Sequence, residues 1–183
     1  MAYQFQQIKV LLVEDNRPML ELLKNVLRSF GIGTVVTALD GEEAFRRFCD
    51  TNPDLVIADW MMAPCDGIEL SRKIRNDPKS PNQYVPIILM TGFSEKRRVI
   101  DARDSGITEF LVKPFNTRDL YKRLFQIIEK PRQFIRCEGF FGPDRRRTDD
   151  EEYLGPKRRA SDPDSVEQVA VDIPISIDEI DMR

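Results

Sequence analysis

Four short apolar runs in this chain end in polar side chains that could do chemistry. Glu14 and Asp15 follow the first run, Asp59 and Thr91 end two others, and Lys113 follows the last. Three carboxylates held together repel one another, and a hard cation with oxygen ligands, such as Mg²⁺, relieves that repulsion. A carboxylate beside such a cation can attack a phosphoryl donor and form an acyl phosphate, while the lysine and the hydroxyl stabilise the transferring oxygens. The residue types therefore predict a magnesium-assisted phosphoryl-accepting site.

The fold must bring these run ends together. Strand-like runs occur at 8–13, 34–37, 54–59, 85–91 and 107–112. Between and after them lie stretches of helical periodicity at 17–30, 67–77, 94–106 and 116–128. A further helix is predicted to begin after Asp40, which forms a capping box with Glu43. This alternation predicts an α/β fold with a doubly wound, five-stranded parallel sheet. Because the carboxyl ends of parallel strands share one edge, the polar residues are expected in one shallow pocket.

The composition excludes several kinds of site. The 183 residues include no histidine, which removes Ser-His-Asp triads, imidazole zinc sites and a phosphohistidine carrier role. The net charge of -3 gives no overall case for nucleic-acid binding. Cys49, Cys65 and Cys137 lack metal-ligand spacing and suit a reducing cytoplasm. No signal peptide or membrane-spanning run is predicted, so we expect a cytoplasmic protein.

Residues 8–129 resemble the CheY-like receiver domains of bacterial response regulators. The motifs that carry the resemblance are Val13-Glu14-Asp15, Asp59-Trp60, Asp66-Gly67, Met90-Thr91-Gly92, Phe110 and Lys113-Pro114-Phe115. The resemblance implies a flavodoxin-like sheet of order 2-1-3-4-5, phosphorylation by a histidine kinase or phosphotransfer protein, and a signalling function that is not enzymatic in the usual sense.

The resemblance also implies a role for each residue of the acidic site. By position, Asp59 looks like the phosphoacceptor. Asp15 would bind Mg²⁺ directly and Glu14 through water, and the backbone carbonyl of Met61 would complete the protein ligands. The predicted metal site is therefore Glu14, Asp15, Asp59 and Met61.

Three further residues of the site follow from the same resemblance. Thr91 and Phe110 match the family's switch pair, in which the hydroxyl contacts a phosphoryl oxygen and the aromatic ring turns inward. Lys113 matches the lysine that, in this family, usually precedes a cis proline, here Pro114. The loop at 62–67 departs from the family pattern, since Met-Ala-Pro-Cys-Asp-Gly replaces the usual Met-Pro followed by two residues and Asp-Gly. The distance to the glycine is kept, so we expect a reshaped loop and intact chemistry.

The sequence pattern changes after residue 130. We predict a receiver domain over 1–130 and an arginine-rich, mostly disordered extension over 131–183, because charge-rich segments without periodicity rarely form a core. The extension contains a repeat: residues 142–149 and 155–162 both read Gly-Pro-x-Arg-Arg-x-x-Asp, with an aromatic residue two positions before each (Phe140 and Tyr153).

The repeat suits a ligand with two guanines and two phosphates. Arginine matches the O6/N7 edge of guanine and pairs with phosphates, and aspartate can accept from guanine N–H groups. The layout is similar to CheY-like receivers whose arginine-rich extension binds cyclic di-GMP, a group associated with flagellar motor and attachment control. The predicted contacts are Arg145, Arg146, Arg147, Asp149, Arg158, Arg159 and Asp162.

Other interpretations of the extension remain open. It could be a disordered charged tether, or a basic arm for nucleic-acid phosphates, although the acids at 149–152 between the arginine blocks oppose binding to a polyanion. The chain could also be a plain phosphate-shuttling receiver that uses the extension only to dock on a protein. We favour a receiver that integrates phosphorylation and cyclic di-GMP and acts through a downstream protein.

Overall fold

A computed structural model describes residues 5–92, 105–137, 140–144 and 167–169. A short 3-10 helix covers Phe5–Gln7. The strands of the main sheet are β1 (Lys9–Val13), β2 (Thr34–Ala38), β3 (Leu55–Asp59), β4 (Ile87–Thr91) and β5 (Glu109–Val112). The helices are α1 (Arg17–Ser29), α2 (Gly41–Thr51), α3 (Gly67–Asn76) and α4 (Thr117–Glu129). The helix predicted at 94–106 lies, up to residue 104, outside the described residues.

The five strands form one parallel sheet in the order β2-β1-β3-β4-β5, which confirms the predicted architecture. The register aligns the ends of the strands: Val13 pairs with Ala38 and Ala58, Asp59 pairs with Met90, and Thr91 pairs with Val112. The residues that follow β1, β3, β4 and β5 therefore meet at one edge of the sheet.

Both faces of the sheet are covered by helices, so alternate residues of each strand enter different parts of the core. Leu11 and Val13 of β1 belong to the cluster that includes Phe48 of α2. Val10 and Leu12 belong to the cluster on the other face, which includes residues of α1 and α4. All five residues of β3 and of β4 are buried, as the near-continuous apolar runs predicted.

The start of α2 differs from the predicted capping box. The Asp40 side chain does accept a hydrogen bond from the Glu43 backbone N–H, at 2.8 Å. The Glu43 carboxylate, however, accepts from the backbone N–H of Leu39 at 2.9 Å and pairs with Arg47, so the reciprocal half of the box was predicted wrongly. The Glu43 carboxylate therefore accepts from the N–H one residue before the N-cap, because the N–H of Leu39 also needs an acceptor at this turn.

A second, smaller sheet follows the main one and was not predicted. It consists of β6 (Phe134–Cys137), β7 (Phe140–Pro143) and β8 (Glu167–Val169), and both outer strands run antiparallel to β6. Phe134 is buried at 3 % exposure, so the start of the extension packs on the receiver. Among the described helices, none has both the length and the apolar character needed to cross a membrane.

Candidate functional site

Three carboxylates meet at the carboxyl edge of the main sheet, where they were predicted. Glu14 and Asp15 follow β1 and Asp59 ends β3, and one oxygen of each lies within 4.8 Å of the others. Glu14 and Asp59 are buried, at 2 % and 8 % exposure, whereas Asp15 is exposed. A cluster of two buried acids and one open acid can hold a cation that still reaches solvent and a second substrate.

Lys113 is the cation that the chain itself places in the pocket. Its Nζ lies 2.9 Å from Asp59 Oδ1 and 3.0 Å from Glu14 Oε2. The backbone N–H of Lys113 donates to the Thr91 carbonyl at 2.7 Å, which holds the end of β5 against the end of β4. The lysine therefore bridges two of the three acids from a fixed backbone position.

The electrostatics of the pocket leave negative charge in excess. Burial raises the pKa of Glu14, and the neighbouring Asp59 charge adds to that rise against the hydrogen bond from Lys113. Burial on its own would lower the pKa of Lys113, but its bonds to Asp59 and Glu14 outweigh that effect and raise the pKa. Among the residues that the structure describes, one ammonium faces three carboxylates and every donor of the cluster is an oxygen, so this donor set fits Mg²⁺ and gives zinc no soft ligand.

The backbone around Asp59 is held by close contacts at the start of α3. The N–H of Trp60 donates to the Met90 carbonyl at 2.9 Å, and the N–H of Gly67 donates to the Trp60 carbonyl at 3.1 Å. A Cβ at Gly67 would collide with the Asp59 carbonyl and lie 2.6 Å from Leu89 Cδ1. Because Gly67 has no side chain, the start of α3 can approach the backbone of Asp59 this closely.

Thr91, Phe110 and Met61 are the remaining predicted residues of the receiver. Thr91 ends β4 and is completely buried, and Phe110, in β5, is partly buried and packs against a core cluster. Met61 lies two residues after Asp59 with an exposed side chain, and the ligand role of its carbonyl stays a prediction. The structure confirms the cis bond before Pro114, and the reshaped loop contains a second one before Pro64.

The predicted contacts of the extension lie outside the described residues. These are Arg145, Arg146, Arg147, Asp149, Arg158, Arg159 and Asp162. The structure describes the extension up to Asp144, where the first copy of the repeat has begun, and again at 167–169, after the second copy has ended.

A second group of buried polar residues, which was not predicted, lies at the opposite edge of the sheet. Glu109, at the start of β5, is 3 % exposed and pairs with Arg123 and Arg132. Arg75, near the end of α3, is 2 % exposed and contacts the ring of Phe134. An acid inside the apolar run at 107–112 was the available signal, because charged residues are rarely buried without a partner.

Comparison with known proteins agrees with this geometry. The family described as the response regulator receiver domain matches residues 10–125. Over 123 residues the chain is 30 % identical to the chemotaxis protein CheY of Pseudomonas aeruginosa, covering 67 % of this chain and 98 % of that protein.

Solved structures give the same result. The Vibrio cholerae chemotaxis protein CheY4 superimposes with a TM-score of 0.61 at 29 % identity, covering 66 % of this chain and 98 % of CheY4. The receiver domain of the Pseudomonas aeruginosa sensor histidine kinase PA1611 superimposes with a TM-score of 0.57 at 29 % identity, covering 65 % of this chain and 94 % of that domain. That structure has a magnesium ion coordinated in its active-site cleft.

The sheet order, the acidic cluster with its lysine and these similarities lead to one conclusion. The chain belongs to the response regulator receiver family of two-component signalling, and its acidic pocket brings together three carboxylates that could hold a metal ion.

Proposed function

We propose that this receiver accepts a phosphoryl group on Asp59 from a histidine kinase or a phosphotransfer protein. The observation that carries the proposal is the position of Asp59: its carboxylate is buried to 8 % exposure, 2.9 Å from Lys113 and beside two further acids. Lys113 and a bound cation would together supply the positive charge that the oxygens of an incoming phosphoryl group need beside this carboxylate.

In the proposed reaction, an oxygen of the Asp59 carboxylate attacks the phosphorus of a phosphohistidine. The new O–P bond forms as the P–N bond breaks, and the imidazole nitrogen leaves and takes up a proton. Asp15, Asp59 and the Met61 carbonyl would hold Mg²⁺ directly and Glu14 would hold it through water, and the ion would supply charge that neutralises the transferring oxygens. Lys113 shifts from Asp59 to one of the incoming phosphoryl oxygens, and the Thr91 hydroxyl donates a hydrogen bond to another of them. The ring of Phe110 then turns inward.

Labelling with a small phosphodonor tests this function on the whole chain. One phosphoryl group per chain is expected in the presence of Mg²⁺, and peptide mass spectrometry is expected to locate it on Asp59. A stable label on a serine or threonine, or labelling that is equal without Mg²⁺, would contradict the proposal. The chain then acts as a signal receiver whose own carboxylate is the acceptor, and not as an enzyme that turns over a separate substrate.

Lys113→Met is predicted to separate metal binding from phosphoryl transfer. Removing the ammonium leaves the three carboxylates less neutralised, so the Mg²⁺ affinity is expected to rise about tenfold, equivalent to about 1.4 kcal/mol. The labelling rate is expected to fall, because the transferring oxygens lose a partner. Trp60 is the only tryptophan and directly follows Asp59, so its fluorescence reports the titration.

Lys122→Met is the matched control, because Lys122 is exposed on α4. It removes the same charge from the chain and should change neither the Mg²⁺ affinity nor the labelling rate. Weaker Mg²⁺ binding in Lys113→Met would contradict the charge argument.

We also propose that the extension binds cyclic di-GMP and that the protein acts on a downstream protein partner, with the flagellar motor as a candidate. The duplicated Gly-Pro-x-Arg-Arg-x-x-Asp motif supports this, because two copies offer paired arginines and an aspartate for two guanines and two phosphates. A reducing cytoplasm, where such kinases and nucleotides are found, suits the free thiols of Cys49 and Cys65.

The double change Arg146→Ala and Arg159→Ala is predicted to remove most of the cyclic di-GMP affinity. Together the two changes remove one guanidinium from each copy of the motif, and hydrogen bonds to charged groups contribute about 1.5–3 kcal/mol apiece, so a loss of at least about 100-fold is expected. Isothermal titration of the full chain measures it.

The control double change is Arg28→Ala with Arg46→Ala, which removes the same charge from exposed helix positions and should leave the affinity unchanged. A duplex DNA titration at two salt concentrations tests the alternative of a nucleic-acid arm, because phosphate-backbone binding falls steeply with salt. Saturable DNA binding without cyclic di-GMP binding would favour that alternative.

A further inference from the structure

The start of the extension is attached to the edge of the main sheet opposite Asp59. We call residues 131–137 and 140–144 the anchor segment. It leaves α4, forms β6 and β7, and is closed on itself by a hydrogen bond from the Asp144 N–H to the Gln133 carbonyl at 2.7 Å. Two sets of contacts join the anchor segment to the receiver.

The first set is ionic and surrounds Glu109. The side chain of Glu109 is 4 % exposed, and its Oε1 lies 2.6 Å from Arg132 Nη2 of the anchor segment. Arg123 of α4 approaches the other oxygen at 3.3 Å, and Gln126 donates to Oε1 at 3.4 Å. Because Glu109 is buried, the loss of one of the two arginines would remove a charged partner from a carboxylate that water reaches poorly.

The second set is aromatic and covers Arg75. The Phe134 ring lies 5.0 Å from the guanidinium carbon of Arg75 and 5.3 Å from the Tyr84 ring, and the Phe141 ring also lies 5.3 Å from Tyr84. Arg75 donates to the Gly106 carbonyl at 3.0 and 2.8 Å and to the Gln83 carbonyl at 2.7 Å. Phe134 thus packs on the arginine that holds the turn leading into β5.

One short strand connects these contacts with the acidic pocket. The four residues of β5 run from Glu109 to Val112, and Lys113 follows at once. At about 3.3 Å per residue, Glu109 and Lys113 are separated by about 13 Å. The amino end of the strand is paired with Arg132 of the anchor segment, and the carboxyl end carries the lysine that lies 2.9 Å from Asp59.

We propose that phosphorylation of Asp59 loosens the anchor segment, with β5 as the connecting element; this rests on the proposed phosphorylation of Asp59. The phosphoryl group adds negative charge beside Lys113, and the lysine, with the end of β5, shifts from Asp59 toward the phosphoryl oxygens. The bond between Arg132 and Glu109 is 2.6 Å long, and a shift of about 1 Å takes it beyond hydrogen-bond range. Reciprocally, a loosened anchor segment favours phosphorylation.

Hydrogen–deuterium exchange on the full chain tests the proposal. With a small phosphodonor and Mg²⁺, the amides of 134–137 and 140–142 are expected to exchange at least about threefold faster, while those of β1 stay unchanged. Asp59→Asn treated in the same way should show no difference. Arg132→Gln should exchange fast in this segment without the donor and respond little to it, and it should be labelled more extensively at limiting donor.

Arg118→Gln, an exposed arginine on α4, is the matched control and should behave as the unchanged chain does. The intact mass of each sample separates the two proposals. A chain that carries the phosphoryl group and shows equal or slower exchange in the anchor segment overturns the coupling alone. A chain that takes up no phosphoryl group overturns the proposed function and the coupling with it.

Discussion

Asp59→Asn is expected to reduce labelling by a small phosphodonor to background. The amide keeps nearly the same shape, but it lacks the anionic oxygen that attacks phosphorus and forms the acyl phosphate. Glu14 and Asp15 remain in the pocket, so the loss tests the acceptor and not the presence of acids. Intact-mass measurement after incubation with the phosphodonor and Mg²⁺ gives the result directly.

Asp50→Asn is the matched control, because it makes the same chemical change at an exposed position in the last turn of α2. It should be labelled as the unchanged chain is. If Asp59→Asn still carried a phosphoryl group at an undiminished rate, the acceptor would have to be another residue, and peptide mapping would find it.

Gly67→Ala is expected to lower the free energy of unfolding by about 1–3 kcal/mol, the usual cost of overpacking a well-packed site. The added methyl would collide with the Asp59 carbonyl and lie 2.6 Å from Leu89 Cδ1, and one of these contacts is with backbone that cannot rotate away. Because the displaced atom belongs to Asp59, the labelling rate is expected to fall as well. Urea denaturation of the full chain measures the stability.

Gly92→Ala provides the comparison, since among the described residues its added Cβ would meet nothing within 4 Å. Its unfolding free energy should stay within about 0.5 kcal/mol of the unchanged chain. Equal stability of Gly67→Ala and Gly92→Ala would mean that the loop after Asp59 yields easily, against the close approach that the structure describes.

The acidic pocket could be predicted from the sequence because a parallel sheet converts position in a strand into position in space. Each functional residue of the pocket stands at the end of an apolar run: Glu14, Asp59, Thr91 and Lys113. Because the carboxyl ends of parallel strands share one edge of the sheet, these residues come together there. The ends of the strands were therefore more predictable than their beginnings. The fourth strand was expected from Val85 and begins at Ile87, since Pro86 has no N–H to give to a ladder.

The contacts of the anchor segment could not be predicted in the same way. Phe134 and Arg132 meet Arg75 and Glu109 across long stretches of chain, and no periodicity in the sequence links them. Short strands such as β6 and β7 also depend on the surface they pack against, because strand propensity is set largely by neighbouring side chains. The duplicated arginine motif, by contrast, was visible in the sequence as a repeat at 142–149 and 155–162.

The burial of Phe134 has a practical consequence for where the receiver may be cut. The family match stops at residue 125, and a truncation after Lys130 would follow that boundary naturally. Such a fragment would lose the ring that covers Arg75 and the arginine nearest Glu109, and it would expose the apolar flank of Tyr84 to water. A fragment that extends through Asp144 is therefore expected to be more stable than one that ends at Lys130, and the shorter fragment is expected to be prone to self-association.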